Sequence, residues 1–261
     1  MELLNSIIVF FAGLWAGTIN AVVGSGTLVT FPVLIALGVA PVTASISNAM
    51  GLVAGNAAGA WGYRKELKGR GQQLLRLLPA SLLGGISGAW LLLHLPETVF
   101  FVAAPVLIVL ALLMVVFQPR LQQWVQAREE NPEHAIKDKN HGVLLIVLVY
   151  LAGVYGGYFV AAQGILLVGI LGVFMAGTIQ NANAMKNILV LGVNIVAAVS
   201  YLLFAFGRIN WPVVAIIAVS SLIGGLIGAK VGRRLSPPVL RGVIFALGLV
   251  ALGFMIANLL K

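Results

Sequence analysis

The stretch "TINAVVGSGTLVTFPVL", residues 18–34, decides how this chain must fold. Its composition suits a membrane-spanning helix, yet Gly24, Ser25 and Gly26 lie in its middle and Pro32 follows. Glycine and proline interrupt helices, and a helix that only spans a membrane does not need them. A soluble phosphate-binding loop would place a lysine after its glycines, and this stretch has none. We therefore expect a helix that breaks inside the membrane.

The composition predicts an all-α polytopic membrane protein. Of 261 residues, 61% are hydrophobic and only 9% are charged, whereas soluble domains carry roughly 25% charged residues. Apolar runs of about 20 residues, long enough to cross about 30 Å of hydrocarbon, recur along the chain. We expect a multi-pass protein in the lipid bilayer of a bacterial or archaeal cytoplasmic membrane. Because residues 1–6 lack Lys and Arg, no signal peptide is expected.

The charged and reactive residues exclude several other classes of protein. The net charge is +9, but the basic residues cluster in short loops, where the positive-inside rule places them, so no nucleic-acid partner is expected. The chain has no cysteine, and its histidines, His94, His134 and His141, lie in or beside loops. We therefore expect no metal and no cofactor. No paired acids, histidine cluster or catalytic triad falls within the apolar segments, so we predict no catalytic residues and no enzyme.

An internal repeat divides the chain into two halves. Three pairs of similar segments occur in the same order: residues 12–24 with 152–164, 47–50 with 181–185, and 82–89 with 222–229. The glycine-rich segments in the first and third pairs are interpreted as helix-packing faces, which small residues often form in membranes. The repeat predicts three regions: a first membrane repeat at 1–118, a cytoplasmic linker loop at 119–141 and a second membrane repeat at 142–261.

Each half contains five apolar segments. They are predicted at about 6–23, 27–38, 43–62, 73–94 and 97–117, and again at about 143–162, 164–176, 182–206, 211–230 and 238–260. The second segment of each half is too short to span comfortably. We therefore expect eight full transmembrane helices and two short or broken, re-entrant segments.

The loop charges predict that the two repeats are inverted. The loop after the third segment is basic in the first half (residues 64–76), but its counterpart near Arg208 has one basic residue. The loop at 230–241 is basic, but its counterpart at 94–98 has no Lys or Arg. Equivalent loops would then lie on opposite sides, with both termini outside. Inverted repeats with glycine-interrupted segments are typical of secondary transporters, whose sites lie near the midplane.

The ionisable residues favour an anionic substrate. Lys186 is the one ionisable residue within an apolar segment, and no carboxylate accompanies it there. A cationic substrate would lack a counter-charge, whereas an anion could pair with Lys186 and with helix N-termini. The alternative is that Lys186 snorkels to the cytoplasmic interface. An intramembrane lysine is otherwise a functional candidate.

Neutral donors cluster near the two helix breaks. They suit an oxyanion, although Ser and Asn are also preferred helix caps. The glycine-rich break could present backbone N–H groups as an anion nest, and Gln163 is a donor at the second break. We predict a substrate site formed by Gly24, Ser25, Gly26, Thr27, Ser45, Asn48, Gln163, Gly164, Asn183, Lys186, Asn187 and Asn194.

Three motifs resemble a known transporter family. They are "AGxxAGxxNxxxGSGTxxxFPxL" from residue 12, "TASISNAMGL" at 43–52 and "GNAAGAWGYR" at 55–64. Together they resemble the TauE/SafE family, also called 4-toluene sulfonate uptake permeases. The second half departs from the family pattern, because "VAAQGILLVGIL" at 160–171 has fewer glycines and no proline. The resemblance implies transport of a sulfur-containing anion: sulfite, sulfoacetate or another organosulfonate, or thiosulfate.

The sequence therefore predicts a secondary transporter of a small sulfur-containing anion. It would work by alternating access, with export as the expected direction and the anion site where the broken segments of the two repeats meet. The alternatives are a passive anion channel and an uptake permease for another small organic anion. The oligomeric state stays open, with a homodimer as one option.

Overall fold

The computed structural model describes residues 2–129, 141–175 and 178–231 and scattered positions between 242 and 253. Within the three continuous ranges the chain forms nine α-helices. They are α1 (Leu3–Val22), α2 (Thr27–Ala36), α3 (Pro41–Gly62), α4 (Gly71–His94), α5 (Glu97–Glu129), α6 (His141–Phe159), α7 (Gln163–Phe174), α8 (Ile179–Phe204) and α9 (Trp211–Val231). Short 3-10 turns follow α3 at Arg64–Leu67 and α8 at Phe206–Arg208.

The all-α, multi-pass class is confirmed. Six of the described helices are long and apolar enough to cross a membrane: α1, α4, α5, α6, α8 and α9. Helix α3 has 22 residues, but small and polar residues lower its hydropathy. Helices α2 and α7 have 10 and 12 residues and are the short second segments that the repeat predicts. The predicted tenth segment, 238–260, falls mostly outside the described residues.

One predicted boundary was wrong. The linker after residue 118 was expected to be a loop, but α5 continues as a helix to Glu129. The segment "QPRLQQWVQARE" is polar, and polarity indicates only that the chain has left the apolar layer. Its Gln, Arg, Leu and Glu residues are good helix formers, so the helix extends into the polar region. The rest of the predicted linker, residues 130–140, lies outside the described residues.

The helices pack in two similar groups. Helix α1 packs against α9 and α3, and α9 also packs against α3. In the second group α6 packs against α4 and α8, and α4 packs against α8. The contact between α3 and α8 joins the two groups. The short helices α2 and α7 each pack between the first and third helix of their own half.

The glycine-rich faces hold these helices close together, as the sequence predicted. A Cβ on Gly17 of α1 would lie 2.2 Å from the carbonyl oxygen of Ser221 in α9. A Cβ on Gly157 of α6 would lie 2.3 Å from the carbonyl oxygen of Gly85 in α4. Larger side chains would therefore push both helix pairs apart, which confirms the interpretation of these faces as packing surfaces.

Large apolar side chains cover the outer faces of the long helices. Leu83 and Trp90 of α4 and Leu226 of α9 are among those exposed in the isolated chain. Because lipid tails are as apolar as these side chains, a bilayer can solvate this surface. The polar side chains described next lie in the protein interior instead.

Candidate functional site

The two helix breaks meet inside the protein. The first break separates α1 from α2, and the second separates α6 from α7. The main-chain N–H of Gly164 donates to the carbonyl oxygen of Gly24 at 3.2 Å. A Cβ on Gly24 would lie 2.6 Å from the Cα of Gly164, and a Cβ on Gly164 would lie 2.5 Å from the Cα of Gly24. The two backbones therefore cross in direct contact, and neither position has room for a side chain.

The two breaks turn the chain by different means. Gly24 has a φ of +89°, in the left-handed region that glycine adopts readily. The second break has non-glycine residues in that region, Val160 with a φ of 60° and Ala162 with a φ of 59°. Left-handed backbone costs such residues about 1–2 kcal/mol each. The second break is therefore strained where the first is relaxed.

Lys186 reaches the first break and not the interface. Its side chain is fully buried, and its Nζ donates to the carbonyl oxygen of Asn20 at 3.1 Å and approaches that of Ala21 at 3.5 Å. These carbonyls belong to the last turn of α1, where the N–H of Gly24 bonds to Ile19 instead. The ammonium therefore caps the negative end of α1. The snorkelling alternative is wrong for this structure.

Two asparagines share the buried side of α8 with Lys186. The Nδ2 of Asn187 lies 3.5 Å from the carbonyl oxygen of Ala21 and adds to the cap on α1. Asn194 lies about two turns further along and is fully buried. Neither side-chain polar atom of Asn194 has a partner in the described part of the chain. An unpaired buried amide is costly, so Asn194 stays a candidate contact.

The start of α2 is tied to α3 through Asn48. The hydroxyl of Thr30 donates to the Oδ1 of Asn48, and the Nδ2 of Asn48 donates to the hydroxyl of Thr27 at 3.1 Å. Asn48 is fully buried, and Ser45 lies buried about one turn before it. The predicted residues Thr27, Ser45 and Asn48 therefore lie together beside the first break.

Asn20 is a central residue of this site that the sequence analysis missed. Its Oδ1 accepts from the main-chain N–H of Gly26 at 3.3 Å, and its Nδ2 donates to the Oδ1 of Asn56. Its carbonyl oxygen accepts from Lys186. Asn20 therefore connects α1 with α2, α3 and α8. The signal was present in the sequence, because Asn20 is polar within an apolar run, the same criterion that selected Gln163.

Gln163 opens α7 at the second break. Its side chain is fully buried and packs on Gly156 of α6, where an added Cβ would lie 2.1 Å from the carboxamide. Among the described residues, neither the Oε1 nor the Nε2 of Gln163 has a hydrogen-bond partner. Gly156 therefore makes room for a polar group that the rest of the described protein leaves unsatisfied.

The starts of α2 and α7 also present unpaired backbone donors. Within the described ranges, the N–H groups of Ser25, Thr27, Ala162 and Gln163 have no acceptor. The hydroxyl of Ser25, buried at the first break, likewise has no partner there. Helix N-termini carry partial positive charge. Both breaks therefore combine unpaired N–H groups with an unpaired buried side chain.

The start of α8 is the least enclosed part of the predicted site. Asn181 caps this helix with Thr178: its Oδ1 accepts from the N–H of Thr178 at 2.9 Å, and its own N–H donates to the hydroxyl of Thr178 at 3.3 Å. This confirms that some of the polar residues act as caps. Asn183, predicted as a direct contact, lies in the first turns of α8 and is half-buried.

The electrostatics of the region are one-sided. Lys186 forms no ion pair with any residue that the structure describes. The ion pair that the described residues do form, between Arg208 and Glu97 at 3.7 Å, is exposed and lies outside the site. The described acids lie at helix ends or in the turn after α3. No cluster of potential metal ligands occurs among the described residues. The buried region therefore combines one cation, two helix N-termini and neutral donors.

These features define a multi-pass helical membrane protein whose interrupted helices meet around buried donors. Residues 9–255 match the family described as Sulfite exporter TauE/SafE, so the chain belongs to that family of membrane transporters. The resemblance found in the sequence is therefore confirmed.

Two relatives cover most of the chain. The Probable membrane transporter protein YfcA of Escherichia coli (strain K12) is 24% identical over 230 residues, which are 87% of this chain and 79% of YfcA. The Probable membrane transporter protein ORF9 of Sinorhizobium sp. is 24% identical over 245 residues, 92% of this chain and 89% of ORF9. No solved structure is significantly similar.

Proposed function

We propose that this transporter moves a small sulfur-containing anion, such as sulfite, an organosulfonate like sulfoacetate, or thiosulfate, across the cytoplasmic membrane, with export as the main direction. The observation that carries the proposal is the crossing of the two breaks at Gly24 and Gly164 beside unpaired buried donors and Lys186. The anion class follows from the charges, while the sulfur chemistry follows from the family description alone.

The donors around the crossing suit an oxyanion. Ser25 and Gln163 each provide a buried polar side chain without a partner in the described chain, next to a helix N-terminus. An oxyanion can accept from several such donors at once, and it supplies the counter-charge that Lys186 lacks in the described protein. A cation would meet the positive ends of both short helices and an ammonium. We therefore propose that the substrate binds beside the crossing of the two breaks, near the starts of α2 and α7.

Inverted repeats would explain why both breaks reach one place. Helices α1, α3 and α9 pack against one another. Helices α6, α8 and α4, which occupy the equivalent positions in the other half, also pack against one another. The Nδ2 of Asn181, near the start of α8, donates to the carbonyl oxygen of Glu66, just after the end of α3, at 2.7 Å. The third helices of the two halves thus run in opposite directions. This arrangement supports inversion of the repeats. We further propose eight full spans with both termini outside, on the basis of the apolar segments and the loop charges of the sequence.

Alternating access needs a closure on each side of the site. Phe31, Phe100 and Phe159 lie together with ring centroids 5.4–6.5 Å apart, joining α2, α5 and α6 beside the breaks. In the proposed topology this aromatic cluster faces outside, because Phe100 follows the loop at 94–98, which has no Lys or Arg. On the cytoplasmic side, Leu171 of α7 and Leu189 of α8 belong to an aliphatic cluster. The structure would then be an occluded state.

A ligand screen tests the proposed substrate class. Purified protein would be heated with sulfite, sulfoacetate, thiosulfate, sulfate, taurine, simple carboxylates or, as cationic controls, simple alkylamines. A ligand that binds only the folded state stabilises it by about 2.7 kcal/mol at one hundred times its Kd. We expect stabilisation by sulfur oxyanions and none by cationic amines. If only carboxylates stabilise the protein, the proposal of an anion site is retained, but the proposal of a sulfur-containing substrate is wrong. Stabilisation by amines alone would contradict both.

A further inference from the structure

We propose that Asn20 determines the charge selectivity of the site, an inference that rests on the anion-transport function proposed above. Asn20 is a buried residue with 8% exposure that bonds to Gly26, Asn56 and Lys186. Its neutral carboxamide oxygen accepts from the main-chain N–H of Gly26, the residue just before α2. A carboxylate at this position could accept the same hydrogen bond, but it would add a negative charge beside Lys186.

The geometry places residue 20 in direct contact with the buried cation through its main chain. The Nζ of Lys186 lies 3.1 Å from the carbonyl oxygen of Asn20. The aliphatic part of Lys186 passes the crossing, since a Cβ on Gly164 would lie 2.9 Å from its Cδ. The Oδ1 of Asn20 is bonded to the N–H of Gly26, at the start of α2. Residue 20 therefore contacts both positive elements of the first break, Lys186 through its main-chain oxygen and the start of α2 through its side chain.

An aspartate at position 20 would keep the packing and change the charge. Asp and Asn have nearly the same shape, and the Oδ of Asp could still accept from Gly26. The Nδ2 of Asn56 has no partner in the described chain, so a flip of the Asn56 amide would let it donate to the new carboxylate. The carboxylate would then neutralise Lys186 and repel an anion. The neutral Asn20 leaves the site positive.

The experiment compares N20D with N20A and with a matched control. In Asn210 the Oδ1 also accepts from a main-chain N–H, that of Val213, at 3.3 Å. Asn210 precedes α9, and its main-chain N–H donates to Ser47 of α3, so N210D makes the same chemical change outside the contacts that join the two breaks. Each variant would be reconstituted in liposomes. Thermal stability, the KM for sulfite and the maximal flux would be measured for each.

We expect N20D to remain as stable as the wild type, with its KM for sulfite raised at least about tenfold, as an added charge within several ångströms would do. N20A should lose stability, because it leaves the N–H of Gly26 and the Oδ1 of Asn56 unpaired. N210D should transport normally. If the wild type transports sulfite and stable N20D has an unchanged KM, the inference about Asn20 is wrong. It is also wrong if N20D loses only stability. Absence of flux in the wild type would instead contradict the proposed function itself.

Discussion

The ammonium of Lys186, in the second half of the chain, donates to the main-chain oxygen of Asn20, in the first half, at 3.1 Å. This hydrogen bond joins α8 to the last turn of α1 and holds the one Lys or Arg that is buried among the described residues beside both helix breaks. An anion that enters there would meet a charge that the described protein leaves without a carboxylate. Lys186 therefore combines a structural contact with a candidate binding contact.

Replacing Lys186 with methionine should separate these two roles. Methionine keeps most of the length and apolar volume, so K186M should still fold, with some loss of stability from the uncapped end of α1. Sulfite flux in proteoliposomes should fall at least tenfold, because no other described cation lies at the breaks. K68M, which removes an exposed lysine from the loop after α3, is the control and should transport normally. Normal flux in folded K186M would exclude a role for Lys186 in binding.

The contact between the two breaks should not tolerate a methyl group. G24A combines a left-handed φ with a contact of 2.6 Å, and G164A would bring a Cβ within 2.5 Å of Gly24. Alanine at a left-handed position alone costs more than about 1 kcal/mol, and the steric overlap adds to this. Both variants should show a large drop in thermal stability in detergent. G71A has open space around it and should match the wild type; equal stability of all three variants would contradict the crossing.

Gln163 should affect stability and transport in opposite directions. In Q163L an apolar side chain of similar size replaces an amide that has no partner among the described residues. Removing an unpaired buried polar group stabilises a protein by about 1–3 kcal/mol. We therefore expect Q163L to melt at a higher temperature and to transport sulfite more slowly. A less stable Q163L would mean that Gln163 has a structural partner.

The aromatic cluster should control access to the first break from outside. The chain contains no cysteine, so S25C introduces a single thiol at a buried position. An impermeant thiol reagent added outside whole cells should label S25C slowly in the wild-type background. It should label S25C faster in F100A, which removes one ring of the cluster. F206A, which removes an exposed ring, is the control. Equal labelling of all backgrounds would contradict the proposed gate.

Much of the fold could be predicted from the sequence. Apolar length and glycine breaks placed α1 to α9 to within a few residues, except for the end of α5, because membrane helices are defined by continuous hydrophobicity. The end of α5 was missed because helix propensity continues where hydropathy falls. The alignment of the two repeats also predicted that Gly24 and Gly164 occupy equivalent positions. The sequence could not predict that these two glycines contact each other, since this contact depends on how the two halves pack.

The candidate site was only partly predictable. Lys186 and Gln163 were selected because a polar group inside an apolar segment is costly to bury and is therefore a functional candidate. The side chains of both lie at the breaks. Asn20 satisfies the same criterion but was missed among motif residues. The sequence also gave no sign that Lys186 would bond to carbonyl groups of α1, because a capping contact between distant helices leaves no local pattern.

The most direct test of the account is counterflow of radiolabelled sulfite in proteoliposomes that contain the purified protein. Liposomes loaded with unlabelled sulfite should accumulate labelled sulfite transiently, with a rate that saturates as the external concentration rises. The same preparation with K186M should lose this uptake. A flux that rises linearly without saturation or counterflow would indicate a channel. Absence of flux for sulfite, sulfoacetate and thiosulfate alike would contradict the proposed transport of sulfur-containing anions.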